Sequence, residues 1–113
     1  MFRISMKVYQ YKKCATCRKA LKQLDADSVE YQKIDIREQP PTKTELRRAI
    51  KILGKRAVCN RSGKDYREMG LSKKIDDMAV SDLVDLLHEN GNLVKRPFIV
   101  DGDMVMVGFI QKV

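Results

Sequence analysis

The chain has 113 residues, with 23 Lys or Arg against 15 Asp or Glu, three cysteines and one histidine. A chain of this length with 43% hydrophobic residues buries a core without disulfide stapling, which excludes disorder and argues against a disulfide framework. No apolar run approaches the roughly 18 residues of a membrane span, and residues 1–8 lack the apolar stretch of a signal peptide. We therefore expect one cytoplasmic domain over residues 1–113, whose cysteines serve catalysis, sensing or metal binding.

The net charge of +8 comes from basic residues that are interspersed with acids along the whole chain. They are densest at Lys12, Lys13, Arg18 and Lys19, and again within residues 47–56. Positive potential recruits oxyanions, acidic protein faces and phosphate backbones alike, so a solvated face and a docking surface both remain open. Because no recognition helix with a basic stripe and no aromatic platform is evident, we do not expect direct nucleic-acid binding.

The first three predicted elements form a β-α-β unit. Residues 6–11 (MKVYQY) alternate apolar and polar side chains and predict a strand. Residues 15–24 carry the apolar spacing of an amphipathic helix. Residues 30–36 (EYQKIDI) predict a second strand, which ends before the prolines that follow it.

The middle of the chain predicts helices. Thr42 and Glu45 have the spacing of a capping box for a helix whose apolar face includes Leu53. Residues 56–74 have poor periodicity and predict loops with short helical turns. Ser81 is then the predicted cap of a further helix.

The C-terminal part predicts a β-hairpin, because an Asp-Gly turn separates the apolar runs 98–100 and 104–107. Met and Val alternate over 104–107, which is typical of a strand buried on both faces. The complete order predicts an α/β, thioredoxin-like fold. It has a small mixed β-sheet flanked by helices, with a helical insertion at about residues 42–90 between the β-α-β unit and the hairpin.

A pair of cysteines, Cys14 and Cys17, lies at the predicted junction of the first strand and first helix. Residues three apart in a helical turn project to the same side, so the sulfurs can come within disulfide distance. The positive end of the helix dipole favours a thiolate, and Lys13 and Arg18 act in the same direction. We predict that Cys14 is the nucleophile and Cys17 the resolving thiol.

Two alternatives to a redox pair are a pair of small buried hydrophobes and half of a zinc site. Zinc would need Cys59 and His88 as further ligands, and their separations are far longer than those of a compact zinc motif. Cys59 follows apolar residues and is predicted to lie in the core, and His88 to lie at the surface near a helix end. We therefore expect no metal.

Arg96 and Pro97 directly precede the strand that begins at Phe98. In a thioredoxin-like fold this is the place of a cis-proline loop facing the cysteines, whereas a trans proline that starts a strand is the commoner alternative for a single X-Pro bond. Arg96 is a candidate for holding an oxyanion or a thiolate by charge-assisted hydrogen bonds, with a solvated side chain as the alternative.

Several short motifs, in this order and spacing, resemble the ArsC/Spx family. They lie at residues 13–20 (KCATCRKA), 35–46, 60–71, 95–97 and 108–109. The resemblance implies a thioredoxin-like fold with a helical insertion. It also implies kinship with glutaredoxin-linked arsenate reductases, with Spx/MgsR-type regulators that bind RNA polymerase and sense oxidation through a C-x-x-C motif, and with small proteins of undetermined role.

The resemblance carries over to individual residues unevenly. Cys14 matches both the reductase nucleophile and the first Spx cysteine, whereas Cys17 matches only the second Spx cysteine. Arg96 matches the reductase arginine that serves the oxyanion. Asn60 aligns with a second such arginine, and Arg61 stands one step away.

Two further positions depart from the reductase pattern. Phe109 stands where the reductases have a third arginine, and Gln10 where they have a histidine. An arsenate dianion held by one arginine instead of three loses charge-assisted bonds of roughly 1.5 to 3 kcal/mol each. We therefore expect inefficient arsenate reduction.

The sequence thus predicts a thiol-disulfide redox protein that acts on a protein disulfide or an oxyanion and binds no cofactor. An external thiol system such as glutathione with glutaredoxin, or thioredoxin, would reduce it. A Spx-type regulator that binds RNA polymerase is the alternative, and a glutathione- and glutaredoxin-dependent arsenate reductase comes third. Relatives usually continue into a C-terminal helix beyond the position of Val113, so we expect either apolar sheet surface open to a partner or a longer natural protein.

Overall fold

The computed structural model describes residues 6–108, which contain a four-stranded mixed sheet in the order β2-β1-β3-β4. The strands are β1 (Met6–Gln10), β2 (Gln32–Asp35), β3 (Phe98–Asp101) and β4 (Met104–Val107). β1 pairs with β2 in parallel and with β3 antiparallel, and β3 and β4 form an antiparallel hairpin. The predicted β-α-β unit and C-terminal hairpin are therefore confirmed.

Five α-helices are described within residues 6–108. They are α1 (Ala15–Ala26), α2 (Lys43–Leu53), α3 (Lys64–Glu68), α4 (Leu71–Lys74) and α5 (Val80–Glu89). Short 3-10 turns follow α4 and α5. The short helices α3 and α4 match the loops and helical turns that the sequence predicts for this stretch.

Helix α2 begins at the predicted capping box. Thr42 Oγ1 accepts from the Glu45 amide at 3.1 Å, and Glu45 Oε1 accepts from the Thr42 amide at 2.9 Å. The prediction that Leu53 belongs to the buried face is wrong. The last turn of α2 lies at the surface, where Leu53 lines an open groove and is 37% exposed.

Helix α5 begins earlier than the sequence predicts. Its cap is Ala79, which has extended backbone and accepts from the Leu83 amide at 3.0 Å, so Ser81 lies inside the first turn. The prediction of Ser81 as the cap is therefore wrong. Leu83, Val84 and Leu87 are buried. Packing of these apolar side chains stabilises the helix whether or not a side chain caps it.

The prediction that the last strand is buried on both faces is also wrong. β4 lies at the edge of the sheet, with β3 as its neighbour. Met104 is 62% exposed, whereas Val105 is buried in the core. Alternation of Met and Val therefore reflects one buried face and one accessible face.

The hydrophobic core includes side chains near the ends of β1 and β2. Tyr9, Ile34 and Phe98 belong to one buried cluster with apolar residues of α2 and α5. Glu45 is buried beside them, where its Oε1 accepts from Tyr9 Oη at 2.7 Å and its other oxygen pairs with Lys7.

None of the helices described is long and apolar enough to span a bilayer.

Candidate active site

Three chain segments meet at one edge of the sheet. β1 and β2 are parallel, and Gln10 pairs with Asp35, so both strands end together. β3 runs in the opposite direction and starts opposite Tyr9. Residues just after β1, just after β2 and just before β3 therefore lie close together, which is the usual place of a site in sheets of this kind.

Cys14 occupies the N-cap of α1. Its backbone is extended (φ −90°, ψ 116°), and its amide donates to the Tyr11 carbonyl at 3.0 Å. The sulfur accepts from the Cys17 amide at 3.4 Å and is partly exposed. The sequence prediction of a thiol at the helix N-terminus is confirmed.

The surroundings of Cys14 favour its ionised form. Partial burial raises the pKa of the thiol, but hydrogen bonds from the Cys17 amide and the Cys17 thiol and the charged Arg96 side chain lower it further. The net effect places the pKa below its ordinary value of 9.0. A lowered pKa increases the fraction of Cys14 that is thiolate at a given pH.

Cys17 has the opposite environment. Its side chain is fully buried, and burial is the main reason that its pKa is raised to about 12. A Cys14 thiolate raises it further, while a backbone bond from Tyr11 and the charge of Arg96 lower it. Both thiols are free and the two sulfurs are not at disulfide distance, so the structure holds the pair in its reduced form and does not show the disulfide that the sequence predicts.

Arg96 lies close to both Cys14 and the aromatic ring of Tyr11. Its guanidinium lies near enough to the Cys14 sulfur to lower the pKa of that thiol, and its Cζ lies 5.0 Å from the centroid of the Tyr11 ring. The peptide bond between Arg96 and Pro97 is cis. The structure therefore shows the cis-proline alternative and places Arg96 beside the cysteines.

The other predicted anion-stabilising residues lie elsewhere. Arg18 donates to the Lys12 carbonyl at 3.1 Å. Lys13 is exposed along a neighbouring groove. Arg61 lines a different groove with Lys55, and its charge acts on Cys59 instead of Cys14. Phe109 lies outside the described residues.

Sequence reasoning missed two residues of this edge, Tyr11 and Arg37. Arg37 follows β2, and its Nη1 donates to Tyr11 Oη at 2.9 Å, with its Cζ 5.0 Å from the ring centroid. Tyr11 therefore contacts two arginines, Arg37 and Arg96. Their positions directly after the two parallel strands could have indicated this, since residues that follow parallel strands meet at one edge of the sheet.

Cys59 and His88 lie away from the cysteine pair. Cys59 is 1% exposed, donates to the Lys55 carbonyl at 3.3 Å and has its pKa raised to about 11 by burial. Its predicted place in the core is confirmed. His88 is partly exposed in the last turn of α5, near the helix end as the sequence predicts, with Nδ1 2.9 Å from the Pro41 carbonyl oxygen. Within residues 6–108, no three His, Cys, Asp or Glu side chains are grouped to hold a metal ion.

A mixed sheet with a cysteine at the cap of its first helix defines the thioredoxin-like class of fold. The model of the ArsC family matches residues 9–113, and the chain belongs to the ArsC family.

Relatives of this chain carry different names. YusI of Bacillus subtilis (strain 168), an uncharacterized protein, is 42% identical over 108 residues, which are 94% of this chain and 92% of that protein. The global transcriptional regulator Spx of Streptococcus mutans is 30% identical over 101 residues, which are 85% of this chain and 70% of that protein. A solved structure from Streptococcus mutans UA159, described as a possible arsenate reductase, has a TM-score of 0.90 at 31% identity and covers 96% of this chain and 94% of that chain.

Proposed function

We propose that the protein is a thiol-disulfide redox protein in which Cys14 is the nucleophile and Cys17 the resolving thiol. The observation that carries this proposal is the contrast between the two sulfurs. Cys14 is partly exposed, lies at a helix cap and contacts Arg96, while Cys17 is buried three residues further on. Such a contrast separates the attacking thiol from the resolving thiol.

In the first step the Cys14 thiolate attacks one sulfur of a substrate disulfide. A new sulfur–sulfur bond forms between Cys14 and that sulfur, and the other substrate sulfur leaves as a thiolate. Arg96 holds the attacking sulfur, and the Cys17 amide donates to it, so the nucleophile is oriented before the substrate arrives.

In the second step Cys17 attacks the Cys14 sulfur and releases the reduced substrate. A Cys14 thiolate raises the pKa of Cys17, and forming the mixed disulfide removes that negative charge. The Cys17 thiol therefore loses its proton more readily in the mixed disulfide than beside a Cys14 thiolate. The departing substrate thiolate accepts that proton. An external dithiol then reduces the Cys14–Cys17 disulfide, with no bound cofactor.

Thiol labelling and trapping test this proposal together. We expect the pH profile of Cys14 alkylation by iodoacetamide to give a pKa below that of a free thiol. We expect Cys17→Ser to accumulate mixed disulfides through Cys14 when it is incubated with a disulfide peptide, and the wild type to release the reduced peptide. An ordinary Cys14 pKa, or a Cys17→Ser protein that traps nothing, contradicts the proposal.

A second candidate function is that of a Spx-type redox-sensing regulator of RNA polymerase. The similarity to the regulator Spx favours it. The exposed, basic side chains Arg47 and Lys51 on α2 also favour it, because they suit an acidic protein surface.

Binding to purified RNA polymerase tests this second function. We expect binding to change between the dithiol and disulfide forms of the wild type and to become independent of oxidation in Cys14→Ser. Binding that ignores both the oxidation and the substitution contradicts the sensor role.

A further inference from the structure

An open groove of about 330 Å³ adjoins the cysteine site and is called here the Tyr11 groove. The residues that matter for its chemistry are Tyr11, Arg37, Asn60, Lys64, Asn92 and Arg96. Arg96 belongs both to this groove and to the Cys14 site, because its guanidinium also lowers the pKa of the Cys14 thiol. A molecule that reacts with Cys14 therefore has a neighbouring surface on which to place its own polar groups.

Arg37 is held in place within this groove. Its amide donates to Asp35 Oδ1 at 2.9 Å, which fixes the turn after β2. Its guanidinium donates to Tyr11 Oη at 2.9 Å and lies over the ring. Within the described residues, the side-chain hydrogen bond of the guanidinium is the one from Nη1 to Tyr11, and a guanidinium has five N–H donors in all.

The charge in the Tyr11 groove is positive. Arg37, Arg96 and Lys64 contribute three cations, and Asp65 contributes one carboxylate. Asp65 Oδ2 already accepts from Asn90 at 2.9 Å, and the bond from Asn90 is the main cause of its lowered pKa. The charge of Arg37 also contributes to that lowered pKa, so it already acts on Asp65. Because Arg96 acts on Cys14, Arg37 is the other guanidinium in this groove that can receive a second anion.

We propose that Arg37 is a specificity residue that selects disulfides carrying a carboxylate beside the attacked bond. This inference rests on the redox function proposed above. The substrate carboxylate accepts from the Arg37 guanidinium in the Tyr11 groove while the substrate sulfur meets Cys14. The Cys14–sulfur bond forms, the substrate sulfur–sulfur bond breaks, and the leaving sulfur takes the electron pair as a thiolate.

Two small disulfides of different charge test the proposal. Dithiobis(nitrobenzoic acid) carries a carboxylate on each ring, and dithiodipyridine is its uncharged counterpart. The rate of the Cys14 reaction with each disulfide is measured by stopped flow. The rate measured for the Cys14→Ser variant is subtracted, because it gives the contribution of the other thiols. The quantity of interest is the ratio of the anionic rate to the neutral rate.

We expect Arg37→Gln to lower this ratio about fivefold, because an open site screens part of the charge-assisted interaction. Arg37→Lys keeps the charge and retains most of the ratio. Arg47→Gln is the matched control, since it removes the same charge from an exposed position on α2 and leaves the ratio unchanged. Raising the salt concentration shrinks the wild-type ratio towards that of Arg37→Gln.

The outcomes separate this inference from the proposed function. Rates that fall equally for both disulfides in Arg37→Gln mean that Arg37 acts on the thiolate itself, and the specificity role is then wrong. A control that lowers the ratio as much as Arg37→Gln also overturns it, because net charge would then explain the effect. A wild-type Cys14 that is no faster than a free thiol with the neutral disulfide contradicts the redox function instead.

Discussion

At the scale of single residues, neighbours a few ångströms away decide how the cysteines behave. Cys14 and Cys17 are the same chemical group three residues apart, yet the pKa of one is lowered and that of the other is raised to about 12. Burial raises both values. The difference arises because the Cys17 amide and Arg96 stabilise a negative charge on Cys14, while full enclosure opposes one on Cys17.

The first residue-scale prediction concerns Arg96. We expect Arg96→Gln to raise the pKa of Cys14 and to slow its alkylation at pH 7 severalfold, because a charged donor to the thiolate is lost. The pH profile of iodoacetamide labelling measures the effect. Arg18→Gln is the control, since Arg18 donates to the Lys12 carbonyl. An equal effect of both substitutions would show that the general positive potential, and not the bond from Arg96, activates Cys14.

The second residue-scale prediction concerns the buried carboxylate of Glu45. Burial raises its pKa, but bonds from Lys7, Tyr9 and the Thr42 amide lower it further, so the folded pKa lies below 4.5. Glu45 therefore stabilises the fold above its unfolded pKa, and this contribution is lost as the pH falls through the folded pKa. We expect Glu45→Gln to lower the free energy of unfolding by about 1–3 kcal/mol at pH 7.

Urea denaturation of the wild type and Glu45→Gln, repeated from pH 7 down to pH 3, measures this dependence. The difference between the two proteins should shrink as the pH falls, because the wild-type carboxylate becomes protonated. A constant difference over this range would mean that packing, and not the ionised carboxylate, accounts for the loss.

At the scale of elements, the N-terminal caps of α1 and α2 have different roles. Thr42 and Glu45 form a reciprocal capping box that stabilises α2. Cys14 caps α1 with a sulfur that also accepts from the Cys17 amide. Sulfur is a weak hydrogen-bond acceptor as a thiol and a better one as a thiolate, so the α1 cap is coupled to the ionisation of the nucleophile.

The element-scale prediction concerns the α2 cap. We expect Thr42→Ala to lower the free energy of unfolding by about 1 kcal/mol, because the Glu45 amide loses its side-chain acceptor, Thr42 Oγ1. Thr44→Ala is the control, since Thr44 is exposed within the first turn and should change stability by less than about 0.5 kcal/mol. Chemical denaturation measures both. Equal losses would assign the effect to general helix propensity.

At the scale of the whole molecule, the sheet topology assembles the site. Cys14, Arg37 and Arg96 follow or precede three different strands, and the strand order places all of them at one edge. The same topology leaves Arg61 beside Cys59, in another groove. Among the described arginines, Arg96 is the one whose charge lowers the pKa of Cys14.

The whole-molecule prediction concerns arsenate. Because the sequence has Asn60 and Phe109 where the resemblance to the reductases implies arginines, we expect arsenate reduction with glutathione and glutaredoxin to be about a hundredfold or more slower than in a three-arginine reductase assayed in parallel. Consumption of the reductant measures turnover, and Cys14→Ser gives the background. Turnover equal to that of the parallel reductase would mean that other groups hold the oxyanion.

The amino-acid sequence determined the local features of this protein. Strand alternation, the capping box and the position of Cys14 at a helix N-terminus depend on neighbours within a few residues, and sequence spacing records them. The limits of α5 and the exposure of Leu53 and Met104 depend on what packs against each element, so spacing alone assigned them wrongly.

Only the tertiary structure decided which charges reach the nucleophile. Lys13 and Arg18 are near Cys14 in sequence, yet Arg18 bonds the Lys12 carbonyl, whereas Arg96, more than eighty residues away along the chain, lowers the pKa of the Cys14 thiol. The role of Arg37 beside Tyr11 is likewise absent from any local pattern. The physical reason is that a guanidinium acts over a few ångströms in space, and parallel and antiparallel strand pairing sets those distances independently of separation along the chain.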